Sequence, residues 1–221
     1  MAAINIAGVV GVGKSSLCNI LSDLNWKVYY EPVFDNALLE KFYYNKERWA
    51  FALQIYFLNK RFEMYKDSFR YISLGKNVIM DRSIVEDRIF AKMLRDQGIM
   101  TDEEYAVYVE LFNNMMEHVQ PPDLMLYLRI NPENAIKRIK KRGRDYEVNQ
   151  DVDYWHELNR NYEVFFNEYS WSKLTIIDVD ELDFVNKLND RSYVLNKIMD
   201  SLKYEIPYEG ISREVPVTGN D

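Results

Sequence analysis

Apolar residues along the chain follow two rhythms. Short runs rich in β-branched and aromatic residues stand at Ile4 to Ala7, Lys27 to Tyr30, Asn77 to Met80, Leu124 to Arg129 and Leu174 to Ile177, and they read as strands. Between them lie longer segments with helical spacing, so the order is strand, helix, strand, long helical stretch, strand, helices, strand, two helices, strand, helix. Strands alternating with helices predict an α/β fold, a five-stranded, mainly parallel sheet flanked by helices. In such sheets ligands collect at the carboxyl ends of the strands, so the residue after each strand is the place to look for chemistry.

The segment from Asn45 to about Tyr71 has no Gly or Pro and carries apolar residues on nearly every face, including Trp49, Phe51, Leu53, Ile55, Tyr56, Phe57, Leu58 and Phe62. That pattern predicts a helix buried between layers. Ser83 with Glu86, and Thr101 with Glu104, have the spacing of capping boxes. The second opens a helix to about Val119 whose Tyr105, Tyr108, Val109, Leu111, Phe112, Met115 and Met116 exceed what one core contact consumes. This surplus reads as a homodimer interface or as a second internal core face. Asn131-Pro132 starts a further helix that closes at Gly143, and another spans Val152 to Glu168. The tail from Tyr204 holds two prolines and two glycines without apolar periodicity, and it reads as a surface strap or a disordered end. With no repeat or linker, residues 1–203 are expected to form one domain, followed by a tail over 204–221.

Composition narrows the function. The 221 residues are 48% hydrophobic and 29% charged, with a net charge of −7, so the bulk field repels polyanions and nucleic acid is not an expected partner. The single cysteine, Cys18, fits a reducing compartment and reads as a small buried side chain. No segment is long enough to cross a bilayer and the N-terminus lacks a signal-peptide pattern, so no membrane partner and a cytoplasmic location are expected.

Candidate chemistry sits where the strands end. Behind the first strand, Gly8-Val9-Val10-Gly11-Val12-Gly13-Lys14-Ser15 matches the phosphate-binding pattern G-x-x-x-x-G-K-[ST]. Gly8, Val9, Gly11, Val12, Gly13, Ser15 and Ser16 are expected around a bound phosphate chain. Lys14 would reach the terminal phosphates and Ser15 a magnesium ion, at the positive end of the following helix. Glu31, after the second strand, is placed as general base for a hydroxyl attacking the terminal phosphate, or as a solvated loop carboxylate. After the third strand, Asp81 can hold magnesium and Arg82 can neutralise charge on the transferred phosphoryl group; the alternative is a mutual ion pair capping the next helix.

In the long helix, Gln54 and Arg61 are seven residues apart and about 20° off one face, with Asp87 as the natural mate of the guanidinium. This is either a structural polar network or the edge of a base pocket, since an amide offers one donor and one acceptor. The basic run Lys137 to Arg144 reads as a helix C-terminus complementing its dipole or as a phosphate-clamping lid, about residues 138–150. His118 and His156 have no partner at metal-ligand spacing.

Taken together, Gly8-x4-Gly13-Lys14-Ser15, Glu31-Pro32-Val33, Gln54-Ile55-Tyr56 with Arg61, Asp81-Arg82-Ser83 with Glu86-Asp87, and Arg138-x3-Arg142-Gly143-Arg144 with Glu147 resemble the deoxyribonucleoside kinase family, especially its bacterial deoxyadenosine kinase branch. The resemblance covers Ile4 to about Leu202 and implies the P-loop kinase fold, with ATP, used with Mg2+, as donor and the 5′-hydroxyl of a deoxynucleoside as acceptor. It implies Glu31 as base, Arg82 beside the attacking oxygen, Tyr43 with Glu147 at the 3′-hydroxyl, and Phe90 stacked on the acceptor base. It further implies Arg138, Arg142 and Arg144 as the closing lid, and the segment from Asp178 to Phe184 beside the donor adenine. Two positions depart from the family pattern: Asp81 stands where Glu is frequent, and Asn36 where many members carry Trp. In the resembling enzymes the Arg61/Asp87 pair accompanies deoxyadenosine, deoxyguanosine or deoxycytidine, so deoxyadenosine is expected first, with the other two behind it. The rival readings are a nucleoside monophosphate kinase of the thymidylate type, whose anionic acceptor a carboxylate such as Glu31 would repel, and a non-catalytic nucleotide-binding regulatory subunit.

Overall fold

The structure is a computed structural model that describes residues 1–32 and 36–202. Val33 of the Glu31-Pro32-Val33 motif and the tail from Tyr204 lie outside the described residues. Five strands, β1 (Ala3–Ala7), β2 (Lys27–Tyr29), β3 (Val78–Asp81), β4 (Leu124–Arg129) and β5 (Leu174–Asp178), form one sheet in the order β2-β3-β1-β4-β5. Every pairing in it is parallel, with Ile6 opposite Asp81 in the β1/β3 register. Helices cover both faces of such a sheet, so its strands are apolar on both sides; Ile4, Ile6, Ile79, Leu124 and Leu126 are all buried. The buried Asn5 is the polar exception in β1, and its amide donates to Ser83 Oγ at 3.2 Å, tying the central strand to the turn after β3.

The helices are α1 (Lys14–Ser22), α2 (Ala37–Tyr44), α3 (Lys46–Ser73), α4 (Asp87–Asp96), α5 (Asp102–Met116), α6 (Pro132–Arg142), α7 (Asp145–Val148), α8 (Val152–Asn167) and α9 (Leu188–Leu202), with a 3-10 turn at Ile84–Glu86. Both expected capping boxes form, Ser83/Glu86 on the 3-10 turn leading into α4 and Thr101/Glu104 on α5. Asn131 caps α6, and Gly143 ends it in the left-handed conformation. α5 stops at Met116, short of Val119; Tyr108 and Phe112 enter the core while Tyr105, Val109, Leu111, Met115 and Met116 remain half-buried.

Two features differ from the sequence expectation. α3 is not buried all round: Ala50, Leu53, Gln54, Phe57, Leu58, Arg61, Tyr65 and Ser68 form one buried stripe, while Phe51, Ile55, Tyr56 and Phe62 are half-covered. The separate α2 was not anticipated, because its start is signalled only by Asn36, whose side chain accepts the Leu38 N–H.

The loop between β1 and α1 is shaped by close backbone approaches. Gly8 (φ 147°) and Gly11 (φ 85°) occupy conformations that favour glycine. A Cβ on Gly8 would lie 2.7 Å from the Leu128 carbonyl oxygen, and one on Gly11 would lie 2.8 Å from that of Ala135. The loop is therefore clamped between β4 and α6. Gly11→Ala is expected to cost on the order of 2 kcal/mol. In a thermal melt it should lower Tm more than Gly75→Ala, which shares a positive φ but meets nothing within 4 Å. Equal shifts for the two variants would refute the clamp.

Candidate active site

A cavity of about 1090 Å³ lies at the carboxyl ends of β1, β2 and β3, where the strand order places the topological switch. Gly11, Gly13, Lys14, Ser15 and Ser16 line it from the first loop. Lys14 is buried and its Nζ donates to the carbonyls of Gly8 at 2.8 Å and Val9 at 3.0 Å. Burial, reinforced by the charge of Arg82 and opposed by Asp81, Glu31 and Glu86, pushes its ammonium down to about 8. An anion there would relieve that cost. Gly8, Val9 and Val12, expected at the nucleotide, do not line the cavity. Val9 and Val12 put their side chains in the core, and the Gly8 N–H is taken by Glu86 Oε1 at 3.2 Å.

Ser15 Oγ donates to Asp81 Oδ2 at 2.6 Å, and Asp81 Oδ1 is buried without a hydrogen-bond partner. Burial raises the Asp81 pKa, with Lys14 opposing and Glu31 adding. A buried carboxylate oxygen left over beside a hydroxyl is a half-built cation site. Among the described residues no cluster of three His, Cys, Asp or Glu could complete it. The remaining ligands would be phosphate oxygens and water, as is usual for Mg2+.

Glu31 stands two residues past Tyr29, the last residue of β2, and its Oε1 accepts from Arg82 Nε at 2.8 Å and from Arg61 Nη2 at 2.9 Å. Burial alone would raise its pKa; Arg82, Arg61 and Lys14 outweigh burial and hold the carboxyl far below the usual range. Arg61 turns its Nε to both oxygens of Asp87 at 2.8 Å. Burial pushes Asp87 up to about 6, with Arg61 opposing. The expected Arg61/Asp87 pair is thus present, and it extends through Glu31 to Arg82 as one buried chain of charge.

Further along the cavity, Gln54 is buried with its side chain among the lining residues, beside Leu53 and Phe57 of the same helix. Phe90 lies under the Arg82 guanidinium, 5.0 Å from ring centroid to Cζ. Tyr43 stacks on Tyr146 of α7 with centroids 5.3 Å apart. The buried Glu147 accepts from Arg142 and, at 3.3 Å, from Arg144. Arg138 donates to the carbonyls of Val12 at 3.0 Å and Val179 at 2.8 Å, so it is tied to the first loop and to the segment after β5. Phe184 lines the cavity opposite Gly13, where a Cβ would come within 3.0 Å of the ring. Asp178, likewise expected at the nucleotide, also sits apart: it ends β5, is exposed and pairs with Arg129 at 3.0 Å. Asp180 lines the cavity instead.

Sequence reasoning missed Tyr30, Asn19 and Tyr154, which also line the cavity, as does Lys141 of the basic run. Tyr30 donates to Asn19 Oδ1 at 2.6 Å across its rim. Tyr154 carried a helical-position signal but nothing to show that it faced the cleft.

The geometry matches known proteins. A family model described as Deoxynucleoside kinase covers residues 4–203. A deoxyguanosine kinase of Lactobacillus acidophilus is 41% identical over 213 residues, 92% of each chain. A deoxyadenosine/deoxycytidine kinase of Bacillus subtilis is 38% identical over 199 residues, 88% of this chain and 90% of the relative. A solved structure of deoxyadenosine kinase from M. mycoides with bound dATP superposes with a TM-score of 0.78 at 32% identity, covering 90% of this chain and 99% of the other. The same enzyme has been solved with bound dCTP, at a TM-score of 0.77. A parallel sheet with its phosphate loop, a carboxylate between two arginines, and relatives matched over nearly their whole length lead to one statement: the chain belongs to the deoxynucleoside kinase family.

Proposed function

We propose that the chain transfers the γ-phosphoryl group of ATP to the 5′-hydroxyl of a deoxynucleoside, with deoxyadenosine preferred. The observation that carries this reading is Glu31, a carboxylate kept ionised by Arg82 and Arg61 on the wall that Lys14 and Ser15 also line. An acceptor that is already an anion would be repelled there, which disfavours a monophosphate acceptor. A neutral hydroxyl is instead oriented by the carboxylate and gives up its proton to it.

Lys14 and Arg82 stabilise charge on the transferred group, and the amides around Gly11 and Gly13 cradle the donor phosphates. Ser15 and Asp81 would hold Mg2+, which would supply positive charge against the negative charge of the donor phosphates. Arg142 and Arg144 reach the donor by exchanging Glu147 for phosphate oxygens, and Glu147 with Tyr43 then meets the 3′-hydroxyl. Gln54 and Asp87 read the base edge. A donor and acceptor on Gln54 beside an acceptor on Asp87 suit an exocyclic amino group with its ring neighbour, as in adenine or cytosine. Deoxyguanosine is the second reading, because the relative at 41% identity is named a deoxyguanosine kinase. The half-buried faces of α3 and α5 support a homodimer, and no described helix is long and apolar enough to cross a membrane.

Glu31→Gln is expected to lower kcat on deoxyadenosine by about 100-fold or more, since positioned acid–base groups contribute about 10²–10⁴. Steady-state kinetics on a folded variant checks this, and full turnover would reject the assigned base. In a panel of deoxynucleosides, ribonucleosides and monophosphates, deoxyadenosine should turn over fastest. Faster turnover of thymidine would overturn the base assignment, and faster turnover of monophosphates would overturn the acceptor class.

The pH dependence follows from Asp87. As pH falls through about 6 the carboxylate takes up a proton and Arg61 loses one of its two anionic partners. The expected profile of kcat/KM for the nucleoside has an acid limb near pH 6, falling about tenfold per pH unit below it for one proton. Glu31 adds nothing in that range because its pKa lies far lower. A profile flat from pH 5 to 7 would exclude this role.

A further inference from the structure

Arg82 is held from two sides, and only one of them belongs to the cleft. Its Nε donates to Glu31 at 2.8 Å, while its Nη1 points inward to the hydroxyl of Tyr162 and, at 3.4 Å, to Glu86 Oε1. Tyr162 in turn donates to Glu86 Oε1 at 2.9 Å. Both side chains are fully buried, at 0% exposure, and neither lines the cavity. Glu86 has two further acceptor tasks: Oε2 takes the Ser83 N–H at 2.6 Å and Oε1 the Gly8 N–H at 3.2 Å. One carboxylate therefore joins the first glycine of the phosphate loop, the turn after β3, the guanidinium and α8.

The backbone gives this arrangement a reason. Arg82 has φ 78°, a left-handed conformation costing about 1–2 kcal/mol for a residue with a Cβ. Such a residue persists where its surroundings over-determine it. In that conformation Arg82 Nε meets Glu31, 19% exposed on the cleft wall, and Nη1 meets the fully buried Glu86. Glu31 cannot fix the guanidinium alone, because in a reaction it must also engage the acceptor hydroxyl and it already shares Oε1 with Arg61. The inner contacts remain when Glu31 is busy.

We propose that Tyr162 and Glu86 are positioning residues for the phosphoryl transfer, setting the direction of Arg82 and its register against the phosphate loop from behind the site. This rests on the reading of Arg82 as a phosphoryl-stabilising group. Neither residue touches substrate. The hydroxyl of Tyr162 accepts from Arg82 Nη1 and donates to Glu86, so removing it leaves that nitrogen only its 3.4 Å contact with Glu86 Oε1 and leaves the ring in place.

Tyr127 is a matched control: its buried ring lies 6.3 Å from that of Tyr162, and its hydroxyl pairs with Glu163 at 2.6 Å, away from Arg82. Tyr162→Phe should lower kcat about tenfold or more with KM for ATP changed less than about twofold, the pattern of an interaction expressed in the transition state. Tyr127→Phe should leave kcat within about twofold. Glu86→Gln, which keeps the side-chain shape, should also lower kcat and provides the reading if Tyr162→Phe does not fold. Equal losses for Tyr162→Phe and Tyr127→Phe, or unchanged kcat in both Tyr162→Phe and Glu86→Gln, would overturn the proposal. An unaltered enzyme that phosphorylates no nucleoside would instead overturn the function on which it rests.

Discussion

The structure depends on a buried ionic chain in which Glu31 is shared by two arginines. Arg61 belongs to α3, Arg82 to the turn after β3, Glu31 to the end of β2 and Asp87 to the start of α4. Desolvating these groups costs several kcal/mol per ion, which their attraction offsets only when geometry and hydrogen bonding are complete. Four elements must consequently arrive together, and a shift in any of them leaves a charge uncompensated. Burial thus constrains where these four charged groups can sit, since loose placement would leave a charge uncompensated.

The same chain explains how an acidic protein can accept a polyphosphate. The net charge of −7 describes the whole surface, whereas the cavity gathers Lys14, Arg61, Arg82, Arg138, Lys141, Arg142 and Arg144. Most of these cations already have oxygen acceptors from the protein: carbonyls for Lys14 and Arg138, Glu147 for Arg142 and Arg144. Bringing in phosphate oxygens therefore exchanges acceptors instead of filling bare charges. The pKa of Lys14, lowered first by burial, shows that its ammonium is only partly compensated by the two carbonyls, a cost that phosphate oxygens would reduce.

Local signals made much of this legible. Gly8 to Ser15 announced itself by spacing, Ser83/Glu86 and Thr101/Glu104 by capping chemistry, and the Arg61/Asp87 pair by the cost of burying a guanidinium on an apolar helix. The sheet followed from alternation of strands and helices. What stayed hidden was long-range: Glu86 was visible as a cap but not as a partner of Gly8, 78 residues away. Tyr162 was one aromatic among many on α8. Asp178 lies outside the cavity that Asp180 lines, and the sequence did not show this, because a strand-end acid whose partner Arg129 sits on the neighbouring strand looks the same in sequence as one aimed at a ligand. The position of α2 was obscured by a start with one polar cap and no glycine or proline.

A carboxylate held far below its usual pKa is a weak base, and that bears on how Glu31 can serve a hydroxyl of much higher pKa. In a loose phosphoryl-transfer transition state the bond to the leaving group is largely broken before the bond to the nucleophile forms, so the attacking hydroxyl keeps its proton until late. Acidity matters only after the oxygen has bonded to phosphorus, when even a weak base suffices. Before that, the useful property is a fixed, ionised acceptor that aims the oxygen along the line of attack. Two arginines produce that property at the expense of basicity. Depressing the pKa of Glu31 is therefore consistent with the task proposed for it, because it keeps the group negative through the range in which Asp87 titrates and leaves Oε1 held by Arg61 and Arg82.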